Sequence, residues 1–124
     1  VMSKDGKDTL QLDFTTPGGN VGSRVYMMEN ETTYKMFKLL NREFTMEVSV
    51  NQLRCGMNGA VYFIEMDKLG DMGKGDNKAG AKYGTGYCDA QCPHMKWIEG
   101  KANIPEPDKV NATVGKTGFC CAEM

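Results

Sequence analysis

A surplus of basic residues is missing from this chain: fifteen Lys+Arg stand against sixteen Asp+Glu, for a net charge of −1. That excludes the electrostatic footprint of a nucleic-acid binder or of a protein held on an anionic membrane surface. Long apolar runs are missing too, and the few-residue stretches present fall far short of a spanning helix. Leucine and alanine are sparse for the length, which argues against a helix bundle. The single histidine, His94, reads as a surface residue. No signal peptide precedes Val1, and the chain closes at Met124 straight after Cys120-Cys121-Ala122-Glu123. The 124 residues therefore read as an internal fragment of a larger protein.

What is present describes a folded unit, one domain or part of one. Hydrophobic residues make up 40% and charged residues 25%, a balance that excludes disorder and membrane embedding. Fifteen glycines and ten methionines lean towards strands and loops. Five cysteines is an odd count, so at least one is free or paired outside the chain. Two sequons occur, Asn30-Glu31-Thr32 and Asn111-Ala112-Thr113, marking Asn30 and Asn111 as glycosylation acceptors. With the clustered cysteines they favour an oxidising compartment over a cytosolic protein with reduced thiols.

Period-two alternation sets the secondary structure. Leu10 to Phe14 and Val21 to Met28 read as strands flanking the turn cluster Thr15 to Asn20. In the second of these, Arg24, Tyr26 and Met28 share a face suited to binding something, or simply to amphipathic cover. Thr33 to Leu40 is read as a strand. Phe44, Met46, Val48 and Val50 alternate with Glu43, Thr45, Glu47 and Ser49, the pattern of a strand with one side on a core. Ala60 to Met66 is apolar on both faces and reads as a central strand. From Asp67 to Gly86, six glycines and many charges make a long structured loop. Neither Gly73-Lys74-Gly75 nor Gly84-Thr85-Gly86 has the context of a phosphate or dinucleotide loop, and no calcium-loop spacing occurs. Short strands broken by regular turns predict an all-β antiparallel sandwich or barrel.

Cys88 and Cys92, with the adjacent pair Cys120-Cys121, are candidate metal ligands or disulfide partners. Neighbouring cysteines on an extended strand point to opposite faces, which suits a tetrahedral zinc site poorly. No metal and no cofactor is expected. Two bridges between the segments would pin a long loop of low intrinsic order.

Four stretches then become specific: Asn20-Val21-Gly22-Ser23-Arg24-Val25-Tyr26, Cys55-Gly56-Met57-Asn58-Gly59-Ala60-Val61-Tyr62-Phe63, the run Ala79 to Pro93 (AGAKYGTGYCDAQCP), and Cys120-Cys121-Ala122-Glu123-Met124. Together, in this order, they resemble the glycoside hydrolase family 7 cellulases over the whole chain. The resemblance implies a concanavalin-like jelly-roll β-sandwich, with residues 1–124 forming part of the catalytic domain. It further implies a secreted enzyme, monomeric at full length, that hydrolyses the β-1,4-glucan of cellulose with retention of configuration. Its catalytic motif runs Glu-x-Asp-x-x-Glu after a Cys-Cys-x. Glu123 matches the first position, the nucleophile, and the assisting Asp and acid/base Glu fall beyond Met124. One carboxylate alone cannot carry out the double displacement.

The same resemblance places Arg24, Asn58, Tyr62, Tyr87, Asp89, Gln91 and Lys96 along the sugar-binding path. Amides and carboxylates would bond hydroxyl pairs there, and rings would cover the apolar faces of glucose. It implies the pairs Cys88–Cys121 and Cys92–Cys120, with Cys55 bridged to a cysteine outside the chain. The 27 residues between Cys92 and Cys120, including Pro105 and Pro107, match the longer loop of chain-end-acting relatives, which favours a cellobiohydrolase over an endoglucanase. A non-catalytic glucan-binding sandwich is the alternative outside catalysis, and a redox or metal-binding module is a third.

Overall fold

The computed structural model describes residues 9–104 and 114–124. Asn111, Pro105 and Pro107 lie outside the described residues. Among the described residues, regular structure is all β with antiparallel hairpins, apart from a single 3-10 turn at Ala81–Tyr83. Strands β1 (Thr15–Thr16) and β2 (Asn20–Val21) pair around Pro17-Gly18-Gly19. Strands β3 (Met28–Asn30) and β4 (Thr33–Tyr34) pair with an irregular register between Met28 and Asn30. Strands β5 (Trp97–Ile98) and β6 (Lys101–Ala102) close on Glu99-Gly100. Both turn residues there have positive φ, 50° and 76°, the twist that a two-residue hairpin turn requires. Gly100 has a second reason to be glycine: a Cβ would stand 2.4 Å from the Asn77 backbone nitrogen.

A further antiparallel pairing joins the middle of the chain to residues 122–124. Phe63 and Met124 exchange both backbone hydrogen bonds at 2.9 Å, and the Glu65 N–H donates to Ala122 O at 3.0 Å. Ile64 faces Glu123 across this pair. The other edge of the same segment meets Asp89: Cys120 forms a parallel bridge with it, and the Cys121 N–H donates to Asp89 O at 3.1 Å. Disulfides Cys88–Cys121 and Cys92–Cys120 lock that edge, with Cα separations of 5.5 and 4.1 Å. These are the pairings that the resemblance implies.

Because side chains alternate along a strand, the ladder has two unlike faces. Tyr62, Ile64, Met66 and Cys121 join a cluster with Tyr34, Ala81, Tyr87 and Cys88. On the opposite face Phe63 packs edge-on against Phe37 and Phe44, with centroids 5.4 and 5.1 Å away. The reading of Ala60 to Met66 as a covered central strand holds only in part. Tyr62, Phe63 and Ile64 are half-buried and Met66 is buried, but Ala60, Val61 and Glu65 are exposed and the strand is reduced to the bridge at Ile64.

The remaining strand readings are corrected. Leu10 to Phe14 lies just outside the β1–β2 ladder, tied to it by the Gly22 N–H to Phe14 O bond and by the Ser23 hydroxyl donating to Asp13 O. Val21 to Met28 is strand only at its ends, and Thr33 to Leu40 only at Thr33–Tyr34. Glu43 to Val50 keeps its alternation but forms no ladder among the described residues, and Phe44, Met46, Val48 and Val50 are all about half exposed. A strand needs a neighbour to pair with, and although Phe44 packs on Phe37 and Phe63, no described segment forms a hydrogen-bonded ladder with this one.

The loop from Asp67 to Gly86 is ordered by one buried amide. Asn77 Nδ2 donates to Gly70 O at 2.9 Å and to Thr85 Oγ1 at 3.1 Å, and its Oδ1 accepts the Ala79 N–H at 3.0 Å. Gly70 and Gly86 touch backbone to backbone, so a Cβ on Gly86 would sit 2.7 Å from the Gly70 carbonyl carbon. The loop thereby carries Tyr87 and Asp89 to the edge of Glu123's strand.

Candidate functional site

Residues from three parts of the chain converge beside Glu123. Tyr87 and Asp89 are separated by one residue and bonded to each other, Ala90-Gln91 turn back over Asp89, and the disulfides hold this segment against residues 120–121. The Tyr87 hydroxyl donates to Asp89 Oδ2 at 2.5 Å. Since its one proton is used there, the Tyr62 hydroxyl, 3.1 Å away, donates to the Tyr87 oxygen. Asp89 is 8% exposed, and its other carboxylate oxygen accepts the Gln91 N–H at 2.9 Å. A carboxylate this buried is stable only with such donors.

Glu123 projects to the same side. Its Oε2 accepts the Ala90 backbone N–H at 3.0 Å. With its amide nitrogen turned towards the acids, Gln91 donates to Glu123 Oε2 at 3.2 Å and to Asp89 Oδ1 at 3.1 Å. Glu123 forms no ion pair among the described residues, with Arg24 or Lys96 or otherwise. Its carboxylate is held by neutral donors, which orient it without neutralising its charge.

Arg24 closes the cluster from above. Its guanidinium carbon lies 3.4 Å from the Tyr87 ring centroid and 5.7 Å from that of Tyr26. Tyr26 in turn packs on Tyr34 and Tyr87, at 5.5 and 5.9 Å between centroids. Burial pushes the Tyr87 phenol well above its ordinary value, helped by its bonds to Asp89 and Tyr62 and opposed by the Arg24 charge. Burial also raises Tyr26, against Arg24, and pushes Tyr34 up to about 12. The Tyr34 hydroxyl donates to Thr85 O at 2.8 Å. Tyr26, Tyr34 and Tyr87 therefore keep their hydroxyl protons at neutral pH.

Of the residues expected from the sequence, Arg24, Tyr62, Tyr87, Asp89, Gln91 and Glu123 are brought together. Asn58 and Lys96 are not: both are exposed, and neither makes a side-chain hydrogen bond or ion pair among the described residues. Cys55 is exposed and unpaired within the chain. Asn30 lies on the β3–β4 hairpin, apart from this cluster. Tyr26, read with Arg24 on a face suited to binding, joins the cluster. The Ala90 N–H was missed, because a backbone donor carries no residue signature. No group of three or more His, Cys, Asp or Glu side chains among the described residues could hold a metal ion. Nor is any described helix long and apolar enough to cross a membrane.

This arrangement has counterparts among solved proteins. Two crystal structures of a family 7 cellobiohydrolase from Daphnia pulex superpose on the chain with TM-scores of 0.79 and 0.75, at 52% and 50% sequence identity. Each match covers 90% of this chain and 27% of the other, so the chain spans about a quarter of the length of the structures it matches. That likeness carries the jelly-roll β-sandwich as the fold of which these hairpins are part. The profile of glycosyl hydrolase family 7 matches residues 2–124. The chain belongs to glycosyl hydrolase family 7.

Proposed function

We propose that residues 1–124 form part of the catalytic domain of a secreted cellulase, and that Glu123 is its nucleophile. The observation that carries this reading is the setting of Glu123: a carboxylate on a ladder strand, bonded by Ala90 N–H and Gln91, beside a ring-and-hydroxyl cluster able to cradle a sugar. In a retaining hydrolase such a carboxylate attacks the anomeric carbon while a second carboxyl group, about 5–5.5 Å away, protonates the leaving oxygen. Water then cleaves the glycosyl-enzyme with the second group acting as base. That second group comes from outside this chain.

In this reading Tyr87, Asp89, Gln91, Tyr62 and Arg24 hold the sugar at the point of cleavage, and Asn58 and Lys96 meet the glucan further along the groove. Cys55 pairs with a cysteine outside the chain, and the full-length enzyme is a monomer. The long connection between Cys92 and Cys120 favours action from chain ends, as in a cellobiohydrolase. An endo-acting enzyme of the same family is the alternative, and the Arg24–Tyr87 platform would equally serve a glucan-binding sandwich without turnover.

Trapping the full-length protein with a 2-fluoro-cellobioside carrying a good leaving group, followed by peptide mass spectrometry, tests the assignment. The label is expected on Glu123. A label on another residue overturns the nucleophile, and binding of cello-oligosaccharide without any hydrolysis favours the non-catalytic sandwich. Rapid viscosity loss on a soluble cellulose derivative, with little soluble sugar, would indicate internal attack.

A further inference from the structure

One sequence motif plays no part in the catalytic reading. Asn30-Glu31-Thr32 forms the tip of the β3–β4 hairpin, with Asn30 ending β3 and Glu31 and Thr32 making the turn. All three residues are exposed. Asn30 Oδ1 accepts the Thr32 backbone N–H at 3.0 Å and the Thr32 hydroxyl at 3.1 Å. Both bonds use the amide oxygen, so the turn is held without Nδ2, which has no partner among the described residues. The other threonine of the run, Thr33, is buried with its hydroxyl unbonded, so Thr32 alone offers the accessible hydroxyl two residues after the asparagine. Two disulfides mark a chain that folds in an oxidising compartment, where eukaryotic cells attach N-linked sugars.

From this geometry we infer that Asn30 is an N-glycosylation site and carries an oligosaccharide on Nδ2. The donor class is an oligosaccharide linked to a lipid pyrophosphate. Nδ2 forms a bond to the anomeric carbon of the first sugar, and the carbon–oxygen bond to phosphate breaks with its electron pair. The lipid pyrophosphate leaves, and one amide proton passes to a base of the transferring enzyme. The attached nitrogen keeps its second proton, and Oδ1 keeps both bonds to Thr32. The modification therefore leaves the hairpin intact and projects the glycan from an exposed turn into solvent.

The inference does not depend on the catalytic reading and is tested without measuring activity. The full-length protein, secreted from a eukaryotic host, is digested and its Asn30 peptide examined by mass spectrometry, before and after enzymatic deglycosylation in heavy-oxygen water. Most copies are expected to carry glycan and to convert to aspartate bearing heavy oxygen. Asn30→Gln and Thr32→Ala should each abolish the modification, whereas Thr33→Ala should retain it. A wild-type Asn30 peptide recovered mainly unmodified overturns the inference, and so does a glycan persisting at Asn30 in Thr32→Ala. The wild-type measurement decides the matter even if a variant fails to be secreted.

Discussion

The guanidinium of Arg24 sits over the ring of Tyr87, its central carbon 3.4 Å from the ring centroid. Such a contact is worth about 0.5–2 kcal/mol according to how dry it is. Here it fixes the ring whose hydroxyl links Tyr62 to Asp89, so one stacked pair orders a chain of polar groups ending beside Glu123.

Replacing Glu123 by Gln preserves shape and hydrogen-bonding capacity but removes the nucleophilic charge. In the full-length enzyme, turnover of cello-oligosaccharides is expected to fall at least about a thousandfold, as for other covalent nucleophiles. Binding of the same ligands, followed by calorimetry, should stay within a few-fold of wild type. Near-normal turnover would rule out Glu123 as nucleophile.

Tyr87→Phe deletes the hydroxyl that bridges Tyr62 and Asp89. It leaves a buried carboxylate short of a donor, at a cost of about 1–3 kcal/mol. The expected result is a lowered denaturation midpoint with an unchanged m value. A midpoint equal to that of wild type would mean that Asp89 finds another donor.

The two disulfides are nested, since Cys92–Cys120 lies inside the loop closed by Cys88–Cys121. Once either bridge exists, the other closes only a short ring. The chain-entropy account then makes each single removal cost about 2–2.5 kcal/mol and the double removal about 6 kcal/mol. Single Cys→Ala pairs at each bridge and the fourfold variant, compared by urea unfolding, test this. Strict additivity of the two single effects would contradict it.

Tyr34 has its proton held more tightly in the folded chain, with a value raised from 10.0 to about 12 by burial. The unfolded chain therefore loses that proton first as pH rises, so the stabilisation is complete below pH 10.0 and is lost as pH climbs to about 12. Unfolding midpoints should fall across that window, and less steeply in Tyr34→Phe. An equal fall in both proteins would assign the effect to other groups, such as the raised Tyr26 and Tyr87.

Arg24 and Tyr26 were legible as one face of an alternating segment, which needs only local backbone geometry, whereas Tyr87, Asp89 and Gln91 were legible only through the family resemblance of the run that holds them. The all-β class was legible from such alternation, and so was the turn cluster between β1 and β2, whereas the β5–β6 hairpin, only two residues a side, left no pattern long enough to read. Glu43 to Val50 shows the limit: its alternation is real, yet a ladder is a relation between two segments, and pattern in one cannot supply the other. Asn77 was illegible as the organiser of the Asp67–Gly86 loop, because its bonds run to backbone atoms and to Thr85 across the loop. Asn58 and Lys96 matched family positions in sequence, but position along a chain does not fix where an exposed side chain reaches.

The ladder of residues 63–65 and 122–124 has a consequence for how this chain can vary. Its one thickness of backbone separates Glu123 from the Phe37–Phe44–Phe63 cluster on the reverse side. Drift in that aromatic layer is therefore drift in the aim of the carboxylate, by the pleat of a single strand. If Glu123 acts as proposed, substitutions at Phe37 or Phe44, which pack on Phe63 on the face away from Glu123, should surface as altered turnover in the full-length protein.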